Sequence, residues 1–202
     1  MPMALRVTQH NISEDYYMTV VLGIKHDGMV TICADTCVST RTYTDSYQPN
    51  EYGKINLMPN GVIFAMSGLA SVKSFVLADK DIFSFAEESF TRASIAREFV
   101  PRLKELQKSH DLLNKGDSSV SVLLAKDDKL YMMTQDWNVY SVNEYAAIGC
   151  GKNMAYSSMA KQDGDPENRI INACKFASKN CSGVGGPYVV INTIDKAFKE
   201  VR

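Results

Sequence analysis

Neither sign of charge dominates this sequence: 22 lysines and arginines stand against 23 aspartates and glutamates, a formal net charge of −1. A nucleic-acid or anionic-lipid surface needs a basic excess, so both function classes fall away. Long apolar runs are also missing. Lys, Asp or Ser interrupts each of them well short of the roughly 20 residues of a membrane span, so no membrane association is expected. The N-terminal stretch MPMALRVTQHNISEDYY has no basic start, apolar core and small-residue cleavage site, so export is not indicated. The five cysteines, Cys33, Cys37, Cys150, Cys174 and Cys181, never form a CxxC pair. Neither a disulfide framework nor a zinc site follows, and reduced thiols in a cytoplasmic compartment fit best. His10, His26 and His110 are isolated from any metal-suited spacing and read as surface residues.

What is present suits one buried globular domain: 202 residues, 45% of them hydrophobic. Two β-rich runs flank Asp27-Gly28, the signature of a hairpin. With those two residues as the loop, Val20 faces Asp35 and Thr19 lies opposite Thr36. In the next segment, KINLMP and VIFAMS flank Asn60-Gly61. Taken as another two-residue loop, that turn sets Lys54 opposite Ser67 and beside Gly68.

Helical spacing of Val72, Phe75, Val76, Ile82, Phe83 and Ala86 predicts an amphipathic helix over 69–87, and a second follows over 91–108. A third hairpin spans Ser118 to Thr134 around Lys126-Asp127-Asp128, and Val139 to Ile148 reads as more strand. Gly149-Cys150-Gly151 opens another helix, but lacks the spacing and the Ser or Thr of a phosphate loop. Asp165-Pro166 starts a helix over 167–181, and Gly183-Val-Gly-Gly-Pro leads into a closing strand, Tyr188 to Ile194. Hairpins throughout, without βαβ alternation, favour a layered α+β domain with antiparallel sheets over a doubly wound nucleotide-binding fold.

The hairpin registers converge on Thr19, Asp35, Lys54 and Gly68. A threonine hydroxyl needs a base, and a chain-terminal threonine carries one as its own α-amine, whose pKa of about 7.7 to 8.0 suits proton transfer. A nearby lysine ammonium disfavours protonation of that amine, an aspartate holds the lysine, and a glycine N–H can meet an oxyanion. These are parts for acyl transfer. The same residues also suit a purely structural account, with Thr19 and Asp35 as strand residues, Lys54 as a solvated charge and Gly68 as a helix start.

The stretch from Thr19 to Ala34-Asp35 resembles the opening of proteasome β subunits and of the related bacterial ATP-dependent peptidase. So does KINLMPNGVIFAMSG, in which Lys54 precedes Gly68 by fourteen residues, the family's interval. The Ala-Ile-Gly-x-Gly before the later helix and the Gly-Gly before the last strand extend the likeness over nearly the whole domain. The resemblance implies an N-terminal nucleophile hydrolase with a four-layer αββα sandwich over 19–202, after an extension or propeptide at 1–18. It implies Thr19 as nucleophile and base, Asp35 and Lys54 as an electrostatic pair, Gly68 as oxyanion donor and Ser39 as the residue aligning substrate as an added strand. Cys150 stands where the family has a serine bonded to the terminal amine, and Cys181 where proteasome subunits carry an aspartate. Both cysteines otherwise read as small buried hydrophobes.

Thr19 is internal here, so the implied chemistry needs it exposed, by self-cleavage or by translation from Met18 and removal of that residue. Met18 in place of the family's glycine favours the second route. The implied function is a threonine-type endopeptidase acting on polypeptides in a homo-oligomeric ring, with no metal or organic cofactor, fed by an ATP-dependent unfoldase. A non-catalytic ring subunit and a small-molecule amidase are the alternatives.

Overall fold

The computed structural model describes residues 19–39, 44–46 and 53–202; the 1–18 extension lies outside them, as does His10. Strands β1 (Val21–His26) and β2 (Met29–Asp35) form the first hairpin, with Val21 opposite Ala34 as the two-residue Asp27-Gly28 loop requires. A short ribbon follows, β3 (Cys37–Ser39) and β4 (Thr44–Ser46), in which Ser39 pairs with Thr44.

The second hairpin, β5 (Ile55–Leu57) and β6 (Ile63–Gly68), departs from the expected register by one residue. Ile55 opposes Ala65, and Met66 N donates to Lys54 O at 3.2 Å, so Lys54 faces Met66 rather than Ser67. The loop has three residues. Gly61 N closes a turn on Met58 O at 2.9 Å, Gly61 takes φ +82°, and Met58 N then reaches Val62 O at 2.8 Å. This is the type I turn plus left-handed glycine that three-residue hairpins favour, and it takes in Pro59.

The expected 69–87 helix is two helices, α1 (Ala70–Ala78) and α2 (Phe85–Glu88). Asp79 breaks them: its carboxylate accepts Asp81 N at 3.2 Å and Arg102 Nε at 2.6 Å, a local alternative to the helical ladder. The next helical run opens with α3 (Arg92–Ser94) on a Thr91–Ser94 capping box, passes through a π segment at Ile95–Phe99 and ends as α4 (Val100–Ser109).

Strands β7 (Val120–Lys126) and β8 (Lys129–Met133) make the third hairpin. The run expected over 139–148 divides between sheets. β9 (Val139–Ser141) pairs with β8, and β10 (Tyr145–Ile148) pairs with β1. Helices α5 (Lys152–Met159) and α6 (Pro166–Asn180) follow, α6 capped by Asp165, whose carboxylate accepts Asn168 N at 2.9 Å. Strand β11 (Tyr188–Asn192) closes on β2, with a further strand β12 (Lys199–Val201) at its edge.

Two antiparallel five-stranded sheets result, ordered β10-β1-β2-β11-β12 and β5-β6-β7-β8-β9. Three apolar layers hold them. Val21, Ile32 and Ala34 meet Ile63, Leu123 and Leu130 between the sheets. Val20, Leu22 and Cys33 pack under Ala155, Ile170, Cys174 and Ala177 of α5 and α6. Phe64, Val120 and Leu124 pack under Val72, Val76, Phe99 and Leu103 on the opposite side. Each fully buried Leu, Ile or Phe contributes about 1.5–3 kcal/mol. The architecture is a four-layer αββα sandwich, two antiparallel sheets between helix layers. No helix among the described residues is long and apolar enough to cross a membrane.

Candidate functional site

Thr19 enters β1 fully buried, and its carbonyl oxygen is held from the turn that follows the neighbouring strand β10, by Gly151 N at 3.2 Å and the Cys150 thiol at 3.6 Å. Gly149 makes this approach feasible. It sits at φ +94°, and a Cβ there would lie 2.1 Å from Thr19 O, so no other residue fits without moving Thr19. Thr19 Oγ1 has no hydrogen-bond partner among the described residues. A buried hydroxyl without a partner carries a desolvation cost.

The first hairpin brings Asp35 back beside this residue. Asp35 Oδ1 accepts Val20 N at 2.9 Å and Lys54 Nζ at 2.7 Å, while Oδ2 accepts Gly185 N at 3.2 Å. One oxygen is thus shared, and the Lys54 ammonium lies within two hydrogen-bond lengths of the peptide nitrogen following Thr19. Both side chains are almost wholly buried, the carboxylate at 0% and the lysine at 7% exposure. Burial pushes Asp35 above the usual carboxylate range, against the pull of the Lys54 ammonium and the Val20 and Gly185 N–H groups. Burial likewise lowers Lys54, with Asp35 opposing.

Gly68 ends β6 at φ +116°, where a Cβ would meet Ser119 O at 2.2 Å. Leu69 N donates to that same Ser119 oxygen at 3.1 Å. In an antiparallel ladder, alternate residues direct their backbone groups to opposite neighbours. Leu69 therefore belongs to β7, whereas Met66 and Gly68 belong to the β5 edge, the edge that carries Lys54.

The structure thus brings together Thr19, Asp35, Lys54 and Cys150, with the Gly68 turn on the lysine's edge. Ser39 ends β3, whose first residue Cys37 donates its N–H to Gly185 O at 3.2 Å. Cys150 and Cys181 are not buried hydrophobes. Cys150 is exposed on the turn before α5, Cys181 is half-buried beyond α6, and their sulfurs are 3.3 Å apart. His26 is half-buried, with Nε2 2.8 Å from Thr31 Oγ1, and His110 stacks on Phe75.

Two contributors were not anticipated. Gly185 donates to Asp35, and the Gly-Val-Gly-Gly-Pro run was its only sequence signal. Gln107, wholly buried on α4, takes Ser119 N and Ser119 Oγ on its Oε1 at 2.9 Å each and gives Nε2 to Ser118 Oγ at 3.0 Å. It fixes the backbone against which Gly68 turns, and nothing in its local sequence marks it.

The sequence matches no family model and no curated protein. Solved structures do resemble it. Thiobacillus denitrificans BPH aligns with a TM-score of 0.72 at 23% identity, over 86% of this chain and 97% of that one. The same protein solved in complex with epoxomicin aligns at 0.71 with the same identity and coverage. Eukaryotic HslV from Trypanosoma brucei aligns at 0.68 with 16% identity, over 86% and 98%. Anbu, the ancestral β-subunit from Yersinia bercovieri, aligns at 0.71 with 10% identity, over 91% and 87%. The fold is proteasome-like.

Proposed function

We propose that this chain is a threonine peptidase subunit whose nucleophile is the Thr19 hydroxyl, once Thr19 begins the chain. The observation that carries this reading is the buried Lys54–Asp35 pair at 2.7 Å, whose shared oxygen also holds Val20 N. A buried ion pair is a poor stabiliser, because desolvation offsets most of its attraction, so its presence here favours a chemical role.

The Thr19 amine takes the hydroxyl proton as Oγ1 attacks a peptide carbonyl. Lys54 raises the electrostatic cost of a protonated amine and so keeps it basic, and Asp35 holds Lys54. The Gly68 N–H meets the tetrahedral oxyanion. Collapse breaks the C–N bond, and the departing amine takes the proton, leaving an ester on Thr19. Water adds to the ester with the amine again as base, releasing the acid and restoring Thr19. Cys150 acts on the Thr19 carbonyl rather than as a proton relay, since a thiol is a weak donor. Ser39 presents backbone to an extended substrate.

Polypeptide substrates, a homo-oligomeric ring and an ATP-dependent unfoldase partner complete the reading. It draws support from the fold shared with HslV, with Anbu and with BPH, the last solved with epoxomicin bound. The 18 residues preceding Thr19 favour a second reading, a non-catalytic ring subunit. The test compares protein beginning at Thr19 with protein retaining residues 1–18, on a fluorogenic peptide. Turnover by the first alone is expected; no turnover by either form selects the second reading.

A further inference from the structure

Cys150 Sγ lies 3.3 Å from Cys181 Sγ and 3.6 Å from Thr19 O, which joins an outward-facing dithiol to the backbone of the candidate nucleophile. We infer that Cys150 and Cys181 form an oxidisable dithiol, a peroxide-reactive site whose disulfide withdraws the support of Thr19. The effect on turnover rests on the peptidase reading above; the chemistry of the dithiol does not.

The two thiols differ in role. Cys150 is exposed on the turn before α5, where a peroxide reaches its sulfur directly. Burial and the neighbouring Cys150 push the Cys181 thiol up to about 11, so Cys181 keeps its proton. Cys150 is therefore the first to react. Its sulfur attacks a peroxide oxygen, the O–O bond breaks, and Cys150 becomes a sulfenic acid as one water leaves. Cys181 sulfur then attacks Cys150 sulfur, the S–O bond breaks, and the departing hydroxyl takes the Cys181 proton as a second water. Two thiols are oxidised by two electrons and one peroxide is reduced.

Cys33, Cys37 and Cys174 are buried and take no part. Forming the S–S bond brings the two sulfurs together by about 1 Å. That movement acts on the Gly149–Gly151 turn, whose Cys150 thiol and Gly151 N both hold Thr19 O. A displacement of about 1 Å at a reacting group costs on the order of 10²-fold in rate.

The full chain is treated with hydrogen peroxide, alkylated, digested without reductant and mapped by mass spectrometry. A Cys150–Cys181 cross-link that dithiothreitol reverses and Cys181→Ser abolishes is expected; full alkylation of Cys181 after peroxide overturns the dithiol. In parallel, peptide hydrolysis by protein beginning at Thr19 is expected to fall about 10²-fold on oxidation and to return with dithiothreitol. A cross-link formed with unchanged turnover overturns the effect on Thr19. Absence of hydrolysis before oxidation overturns the peptidase reading, while the cross-link map still decides the dithiol on its own.

Discussion

Lys54 Nζ sits 2.7 Å from Asp35 Oδ1, the oxygen that also accepts the N–H of Val20. A single buried atom therefore links the start of the second hairpin to the peptide bond that follows Thr19. Lys54→Ala leaves the carboxylate buried without its cation, and is expected to cost about 3–5 kcal/mol in urea denaturation and to abolish peptide hydrolysis. A variant of wild-type stability and turnover contradicts the role given to the pair.

The pair also shapes the dependence of stability on pH. Asp35 is raised above the usual 3.8, so its contribution is fully present below that pH and is lost as pH rises through the raised value. Lys54 is lowered from the usual 10.5, so its contribution is fully present above that pH and is lost as pH falls through the lowered value. Against the double variant Asp35→Asn/Lys54→Met, the wild type is expected to fare worst between the two shifted values and to recover toward both extremes. A difference in denaturation free energy that is flat with pH contradicts the burial argument.

Gly149 and Gly28 both take positive φ, +94° and +74°, but only Gly149 is crowded by Thr19. Gly28→Ala, with nothing within 4 Å of its Cβ, is expected to cost about 1–2 kcal/mol. Gly149→Ala bears the same backbone strain and must also push Thr19 away, so its thermal midpoint is expected to fall further and its turnover to drop at least tenfold. Equal effects of the two substitutions contradict the contact.

Gln107 satisfies the two serines that carry the Gly68 turn. Gln107→Leu leaves Ser119 N, Ser119 Oγ and Ser118 Oγ without this partner, and about 1–3 kcal/mol is expected for each buried group left unsatisfied. Because the turn positions the oxyanion donor, kcat is expected to fall more than KM rises. A loss confined to KM contradicts that positioning role.

Local chemistry made much of this molecule readable in advance. Asp27-Gly28 is a two-residue loop with one dominant geometry, so the pairing of Val21 with Ala34 followed from counting. Asn60-Gly61 carries the same signal, but Pro59 joins the turn and shifts the register of Lys54 to Met66. The break at Asp79 depends on Arg102, 23 residues away, and no local pattern reports such a partner. The same applies to Gln107 on Ser119 and to Gly185 on Asp35. The division of 139–148 depends on which strand each half meets, a tertiary choice invisible in alternation. The two cysteines looked like core residues because small apolar side chains usually are; the turn before α5 and the loop after α6 expose them instead.

The most direct test of the central claim is steady-state hydrolysis of a fluorogenic peptide by protein whose first residue is position 19, carrying Thr, Ser or Ala there. Ser keeps the hydroxyl and the amine and is expected to retain measurable turnover, whereas Ala is expected to lose on the order of 10³-fold or more. Turnover by the Thr19→Ala protein equal to that of the parent would show that the hydroxyl is not the nucleophile.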